Sequence, residues 1–308
     1  ESGLPATLSP LMITGFLRHR LGFPRIIITD SMTMRGIKDE FGIEKAAVMA
    51  LKAGHDMILH DYNSDPTITY AALLKAVQDG EVSMEQVDAS VRRVLTAKEW
   101  LGLHENRLVC PQRALEVVGS AEHQTIATRL VEEAITVLEG NGFPMRPSSD
   151  NRVLLIATQD ADGPSISADL GTEIRSGGGV LLQELQQRFT NVDSAAIFDA
   201  PLPKQRREAL DRAEQADAVI FACFVPLAAY KEGSGAVPPE QLEFLRELRS
   251  RCSHLSLLIF GPPYVLQGFP KADVTLCAYG DDLPSLQATV RVLCGEIEPK
   301  GHLPVTIS

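Results

Sequence analysis

The chain has 308 residues, of which 44% are hydrophobic, and a formal net charge of −11. That length suffices for two domains with buried cores, and an acidic balance with no basic stripe to offset it argues against a nucleic-acid partner. No apolar run approaches the roughly 20 residues that a membrane-spanning helix needs.

Residues 1–23 read as a loop and then a helix. Ser9 fits a helix cap with Pro10 at the first position, and Leu11, Ile13, Phe16, Leu17 and Leu21 follow a helical stripe closed by Gly22. The run Ile26-Ile27-Ile28-Thr29 predicts a strand buried on both faces, with Asp30 at its C-terminal tip. Ligands and chemistry gather at that edge in parallel α/β folds. An acid there also fits a plain N-cap for the following segment, and position alone leaves both readings open.

A single helix is predicted over Gly36–Lys52. A short strand follows over Asp56–His60, with His60, Asp61 and Tyr62 at its tip. Two further helices are predicted over Thr67–Gln78 and Ser83–Leu101, the second opened by a capping box of Ser83 and Gln86. His55 reads as structural, Asp56 as a capping or pairing group, and the Arg18-His19-Arg20 run as a solvated helix face. Two parallel strands rarely stand alone, because a parallel sheet is covered on both sides. Residues 1–103 therefore read as the last part of a (β/α)₈ barrel, with the earlier strands lying before Glu1 and supplied by a missing N-terminal segment.

Residues 104–120 are polar and irregular and read as a linker. From 121 to 308 the pattern alternates. A helix over 121–134 leads to strands near 135–138, 153–157, 195–198, 218–224, 255–260 and 274–278, with helices near 178–188, 203–214, 239–251 and 284–294. That alternation predicts a doubly wound or sandwich α/β domain. The five cysteines, Cys110, Cys223, Cys252, Cys277 and Cys294, are odd in number and form no CxxC pair. Free thiols are expected, which favours a reducing, cytoplasmic compartment and leaves a secreted or cell-wall home open. No spacing of Cys, His and acids suggests a metal site. The Gly177-Gly178-Gly179 and Gly233-Ser234-Gly235 stretches are loose anion-cradle candidates, and neither fits a nucleotide fingerprint.

Several stretches together resemble the family 3 glycoside hydrolases. They are Leu4-Pro5-Ala6-Thr7-Leu8-Ser9, Ile28-Thr29-Asp30-Ser31-Met32-Thr33-Met34 and Ala53-Gly54-His55-Asp56-Met57 in the first half. In the second half they are Gly261-Pro262-Pro263-Tyr264, Ala278-Tyr279-Gly280 and Gly301-His302-Leu303-Pro304. The resemblance implies a barrel followed by an α/β sandwich domain, with Asp30 as the catalytic nucleophile after the seventh barrel strand. The Asp-Ser-Met-Thr-Met form is similar to the β-N-acetylglucosaminidase (β-hexosaminidase) branch. It implies release of terminal β-linked N-acetylglucosamine (GlcNAc) from cell-wall or chitin-derived oligosaccharides, as in peptidoglycan recycling. A retaining glycosidase needs a carboxylate to attack the anomeric carbon and form a covalent glycosyl-enzyme. Hydrogen-bond donors keep such a group ionised, and backbone N–H groups with Ser31 or Thr33 are candidates.

In that branch the acid/base is a His paired with an Asp on an earlier loop, which the resemblance puts upstream of Glu1. Ser31, Met34 and His60 are expected to line the sugar site, with His60 as its wall or as part of a solvated loop rather than as the acid/base. Met32 either lines that site or packs beneath the loop. Lys231 and Glu232 are further contact candidates. No cofactor or metal is implied. Two rivals remain. One is a phosphorylase of the same fold, acting on β-N-acetylglucosaminides. The other is a fragment that binds carbohydrate without turnover.

Overall fold

A computed structural model of the chain describes residues 3–61, 64–146, 151–159, 177–227 and 234–307. The chain divides into two compact units, residues 1–114 and 115–308.

In the first unit a 3₁₀ turn, Ala6–Leu8, leads into a ten-residue π-helix, Leu11–Arg20. The Ser9 hydroxyl accepts from the Met12 amide at 3.3 Å, so it serves the start of that helix. Strand β1 (Ile28–Ser31) follows, then helices α1 (Arg35–Phe41) and α2 (Ile43–Ala53), strand β2 (Met57–Leu59), and helices α3 (Pro66–Gln78) and α4 (Met84–Trp100). The single helix predicted over 36–52 is thus two, because Gly42 turns between them at φ 72°. Asp65 caps α3 and Ser83 caps α4 through their side chains. The predicted capping box is only half made, since the Gln86 side chain donates to the Leu51 carbonyl instead of reaching back.

β1 and β2 form a two-stranded parallel sheet. The expectation of a strand buried on both faces fails here. Ile27 and Thr29 are buried against the helices, whereas Ile28, Met57 and Leu59 are 49%, 42% and 43% exposed. Two strands cover only the face their own helices pack on, so the apolar residues of the other face stay open. Beneath the covered face Leu8, Met32, Ala46 and Ala50 make a small core. A second one joins Ile13, Ile27 and Ala53.

The stretch predicted to be an irregular linker contains a short helix, α5 (Pro111–Val117), none of whose residues is buried. After it come α6 (Ala121–Ala134), β3 (Thr136–Gly140), β4 (Arg152–Gln159), α7 (Gly177–Gln186), β5 (Asn191–Phe198), α8 (Pro203–Ala213), β6 (Ala218–Phe224), α9 (Pro239–Arg251), β7 (Leu255–Phe260), β8 (Val274–Cys277) and α10 (Leu283–Leu293). The six strands form one mixed sheet in the order β3-β8-β7-β6-β4-β5. All neighbours are parallel except β3, which runs antiparallel to β8.

Alternate residues of this sheet feed two cores. Val153, Leu155, Ile220 and Leu258 pack against Leu181 of α7 and Leu286 of α10. Leu154, Ile156, Phe221 and Ile259 pack against Leu210 of α8 and Phe244 of α9. Burial on both faces is why these strands read as continuous apolar runs. The cysteines are free: Cys223, Cys252 and Cys277 are buried, Cys294 is half-buried and Cys110 is exposed. Burial pushes the Cys223 thiol up to about 12, and those of Cys277 and Cys294 up to about 11.

Candidate active site

Asp30 lies inside β1, one residue before its end. It does not cap the next helix, whose N-cap is Met34. The side chain is exposed, and Oδ1 accepts from the Ser31 amide at 2.7 Å. The Ser31 hydroxyl is bonded to that of Thr33 at 2.6 Å, and the Met34 amide donates to the Ser31 carbonyl at 3.3 Å. The loop after Asp30 is therefore closed on itself, with one main-chain donor already on the carboxylate. Met32 is 1% exposed and sits in the small core, so it packs beneath the loop. Met34 is half-buried at the start of α1.

Because β1 and β2 are parallel, Asp30 and His60 leave the sheet at the same edge. His60 follows Leu59, the last residue of β2. With His55, Ile58 and Thr69 it lines a cavity of about 750 Å³ walled by Tyr70 and Leu73 of α3. Asp30 is not part of that lining. Lys231 and Glu232 lie outside the described residues.

At the other end of β1 a buried carboxylate ties the unit together. Asp56 accepts from Arg18 and from the Ile27 amide on Oδ2, and from Arg93 on Oδ1 at 2.8 Å. Burial alone would raise this carboxyl. The bonds from Arg93, the Ile27 amide, Ser90 and Arg18 outweigh it and hold the group below the usual carboxylate range. Arg18 also donates to the carbonyls of Arg25 and Gly54, so it is not on a solvated face as its neighbours His19 and Arg20 are. His55 is structural: it is buried, its Nε2–H donates to the Thr7 carbonyl at 3.0 Å, and burial lowers its pKa.

Among the described residues no cluster of His, Cys, Asp or Glu is placed to hold a metal ion, and no helix is long and apolar enough to cross a membrane.

Comparison with known proteins gives this geometry a family. A β-N-acetylglucosaminidase/β-glucosidase of Cellulomonas fimi is 29% identical over 163 residues, which cover 52% of this chain and 28% of that protein. Beta-hexosaminidase A of Pseudoalteromonas piscicida is 23% identical over 337 aligned residues, covering 99% of this chain and 53% of its own length. The structure of a family 3 β-N-acetylglucosaminidase from a Paenibacillus species superposes with a TM-score of 0.77 at 25% identity, covering all of this chain and 56% of that one. The chain thus spans about half the length of these two end-to-end matches. The model of the glycosyl hydrolase family 3 N-terminal domain matches residues 1–97, and that of the family's C-terminal domain matches residues 135–308. Matched by the second model alone over more than half its length, the chain belongs to glycosyl hydrolase family 3.

Proposed function

We propose that the chain is the nucleophile-bearing part of a retaining glycosidase. In this reading its first unit is the last portion of a (β/α)₈ barrel, and its second unit is the α/β sandwich domain that follows the barrel. The observation that carries the proposal is Asp30 itself. It is an exposed carboxylate at the C-terminal edge of parallel strands, with a main-chain N–H on one oxygen and the other oxygen available. An exposed carboxylate at that edge is the group a retaining glycosidase uses for attack on an anomeric carbon. The open apolar face of Ile28, Met57 and Leu59 supports the barrel reading, since further strands closing the sheet would cover it.

The bond cleaved is that of a terminal β-linked GlcNAc on cell-wall or chitin-derived oligosaccharides. Support comes from the Asp-Ser-Met-Thr-Met form and from relatives named for N-acetylglucosaminide or hexosaminide cleavage. Asp30 attacks the anomeric carbon, the aglycone leaves with a proton, and water then releases the sugar from the ester on Asp30. The proton donor belongs to another loop of the complete barrel. Ser31, Met34 and His60 are the residues of this chain that would line the sugar site.

The test is turnover of aryl β-N-acetylglucosaminide and aryl β-glucoside by the full-length protein and by its Asp30→Asn variant. Loss of the nucleophile is expected to lower kcat by roughly 10⁴-fold or more, in keeping with the cost of removing a group that acts only in the transition state. Preference for the acetylated substrate supports the specificity, and preference for the glucoside moves it to the other branch. Turnover that depends on inorganic phosphate and yields a sugar 1-phosphate would make the protein a phosphorylase. Undiminished hydrolysis by Asp30→Asn would overturn the nucleophile assignment.

A further inference from the structure

β1 and β2 do not keep step. Ile28 pairs with Met57 and Ser31 with Leu59, so two residues of β1, Thr29 and Asp30, lie opposite one residue of β2, Ile58. The register thus shifts by one residue at Thr29 and Asp30, as it does at a β-bulge. Bulges disrupt the ladder locally, bend the strand and re-aim a side chain, and in parallel pairs they are rare. A side-chain bond placed there helps to fix the path of the chain.

Here a side chain makes such a bond. The Leu59 amide donates to Thr29 Oγ1 at 2.9 Å. The Leu59 carbonyl accepts from the Met32 amide at 3.0 Å. Leu59 is therefore gripped on both sides of Asp30, by a hydroxyl before it and by the main chain after it. Thr29 is 3% exposed, so water has little access to its hydroxyl. A β-branched Thr is stiff about χ1, which fixes the hydroxyl and, through it, the path of the chain into Asp30.

We propose that Thr29 is a positioning residue for Asp30. Its hydroxyl ties β2 to β1 across the shift in register, and so sets the direction in which the Asp30 carboxylate leaves the sheet. The inference rests on the reading of Asp30 as nucleophile. Thr29→Val keeps the shape and removes the acceptor. Without that tie the strand is free to drift toward regular pairing, and a one-residue slip carries side chains to the opposite face. Thr29→Ser keeps the acceptor and removes only a methyl group.

The experiment compares full-length wild type, Thr29→Val, Thr29→Ser and Asp30→Asn. The readouts are kinetics on whichever aryl glycoside the enzyme accepts and hydrogen exchange at the Leu59 amide. Thr29→Val is expected to lower kcat by roughly 10- to 100-fold, the penalty of a misplaced reacting group. KM stays within about twofold, as for an interaction realised in the transition state. The Leu59 amide loses protection in the same variant. Thr29→Ser restores both. A wild-type kcat in Thr29→Val, or equal damage in Thr29→Val and Thr29→Ser, overturns the inference. So does a Leu59 amide that exchanges at the free-peptide rate in wild type, a measurement that stands if Thr29→Val fails to fold. An inactive Asp30→Asn beside a fully active Thr29→Val sinks the positioning role alone. An active Asp30→Asn sinks the nucleophile reading, and with it the proposal.

Discussion

Asp56 has no accessible side-chain surface, and two guanidinium groups that are themselves largely covered converge on it. Its main chain and its carboxylate both hold Ile27, since the Asp56 amide donates to the Ile27 carbonyl while Oδ2 accepts from the Ile27 amide. A neutral Leu would lose this grip, and an Ala would leave two buried charges uncompensated. Removing one partner of a buried ion pair costs roughly 3–5 kcal/mol, so Asp56→Ala is expected to lower unfolding free energy by about that amount in denaturant titrations. The pH dependence has a definite sign. The folded carboxyl titrates below its ordinary value of 3.8, so the unfolded chain binds more protons in acid. This stabilisation is complete above the ordinary value and fades as the pH falls through the lowered folded one. The gap between wild type and Asp56→Ala should therefore be constant near neutrality and close below about pH 4. A gap that closed near neutrality would point to a different group.

Glycines show how element-scale geometry decides the outcome of one substitution made twice. Gly36 lies inside α1 with open space where a side chain would go. Ala there removes unfolded-chain freedom and suits a helix, a gain of roughly 0.5–1 kcal/mol. Gly54 ends α2 at φ 115°, and a methyl group would press on the Thr14 hydroxyl. That hydroxyl donates to the Ala53 carbonyl at 2.7 Å and ties the π-helix to α2. Gly54→Ala should cost more than the ~1 kcal/mol that Gly36→Ala returns, and thermal melts of both variants check the opposite signs. Both glycines are visible in the sequence, but only the end of a helical stripe hints that they differ. The same limit runs through the molecule. Strands β4, β6 and β7 were legible because two covered faces make an unbroken apolar run. The shift at Thr29 and Asp30 was not, because it exists only relative to the register of β2. Arg18 sat in a basic run that looks solvated, and its partners Gly54 and Asp56 lie more than thirty residues away. Helix α5 buries none of its residues, so it left no periodic signal. Asp30 was legible as an acid at a strand end, and its neighbours' bonds were not.

The two units differ in how completely they bury their own apolar surface. The second has a six-stranded sheet with helices on both faces and two continuous cores. Its ion pairs join elements distant in sequence, as Arg188 with Glu296 and Arg291 with Glu132 do. Such a body holds what independent folding requires. The first has a two-stranded sheet, two small cores and an open face that carries Ile28, Met57 and Leu59. Tyr70 and Trp100 add 68% and 76% exposed aromatic surface on α3 and α4. Apolar area left in water gives up about 25 cal/mol per Å² of stabilisation, while ordering each residue still costs about 1–2 kcal/mol of backbone entropy. Residues 115–308 expressed alone are therefore expected to melt in one cooperative transition. Residues 1–114 alone are expected to lose ellipticity gradually and to bind a hydrophobic dye such as ANS before heating, as exposed clusters do. Circular dichroism and dye binding on the two fragments decide it. A sharp transition without dye binding from residues 1–114 would mean that the small cores suffice by themselves, and it would remove the open sheet face as support for the barrel reading.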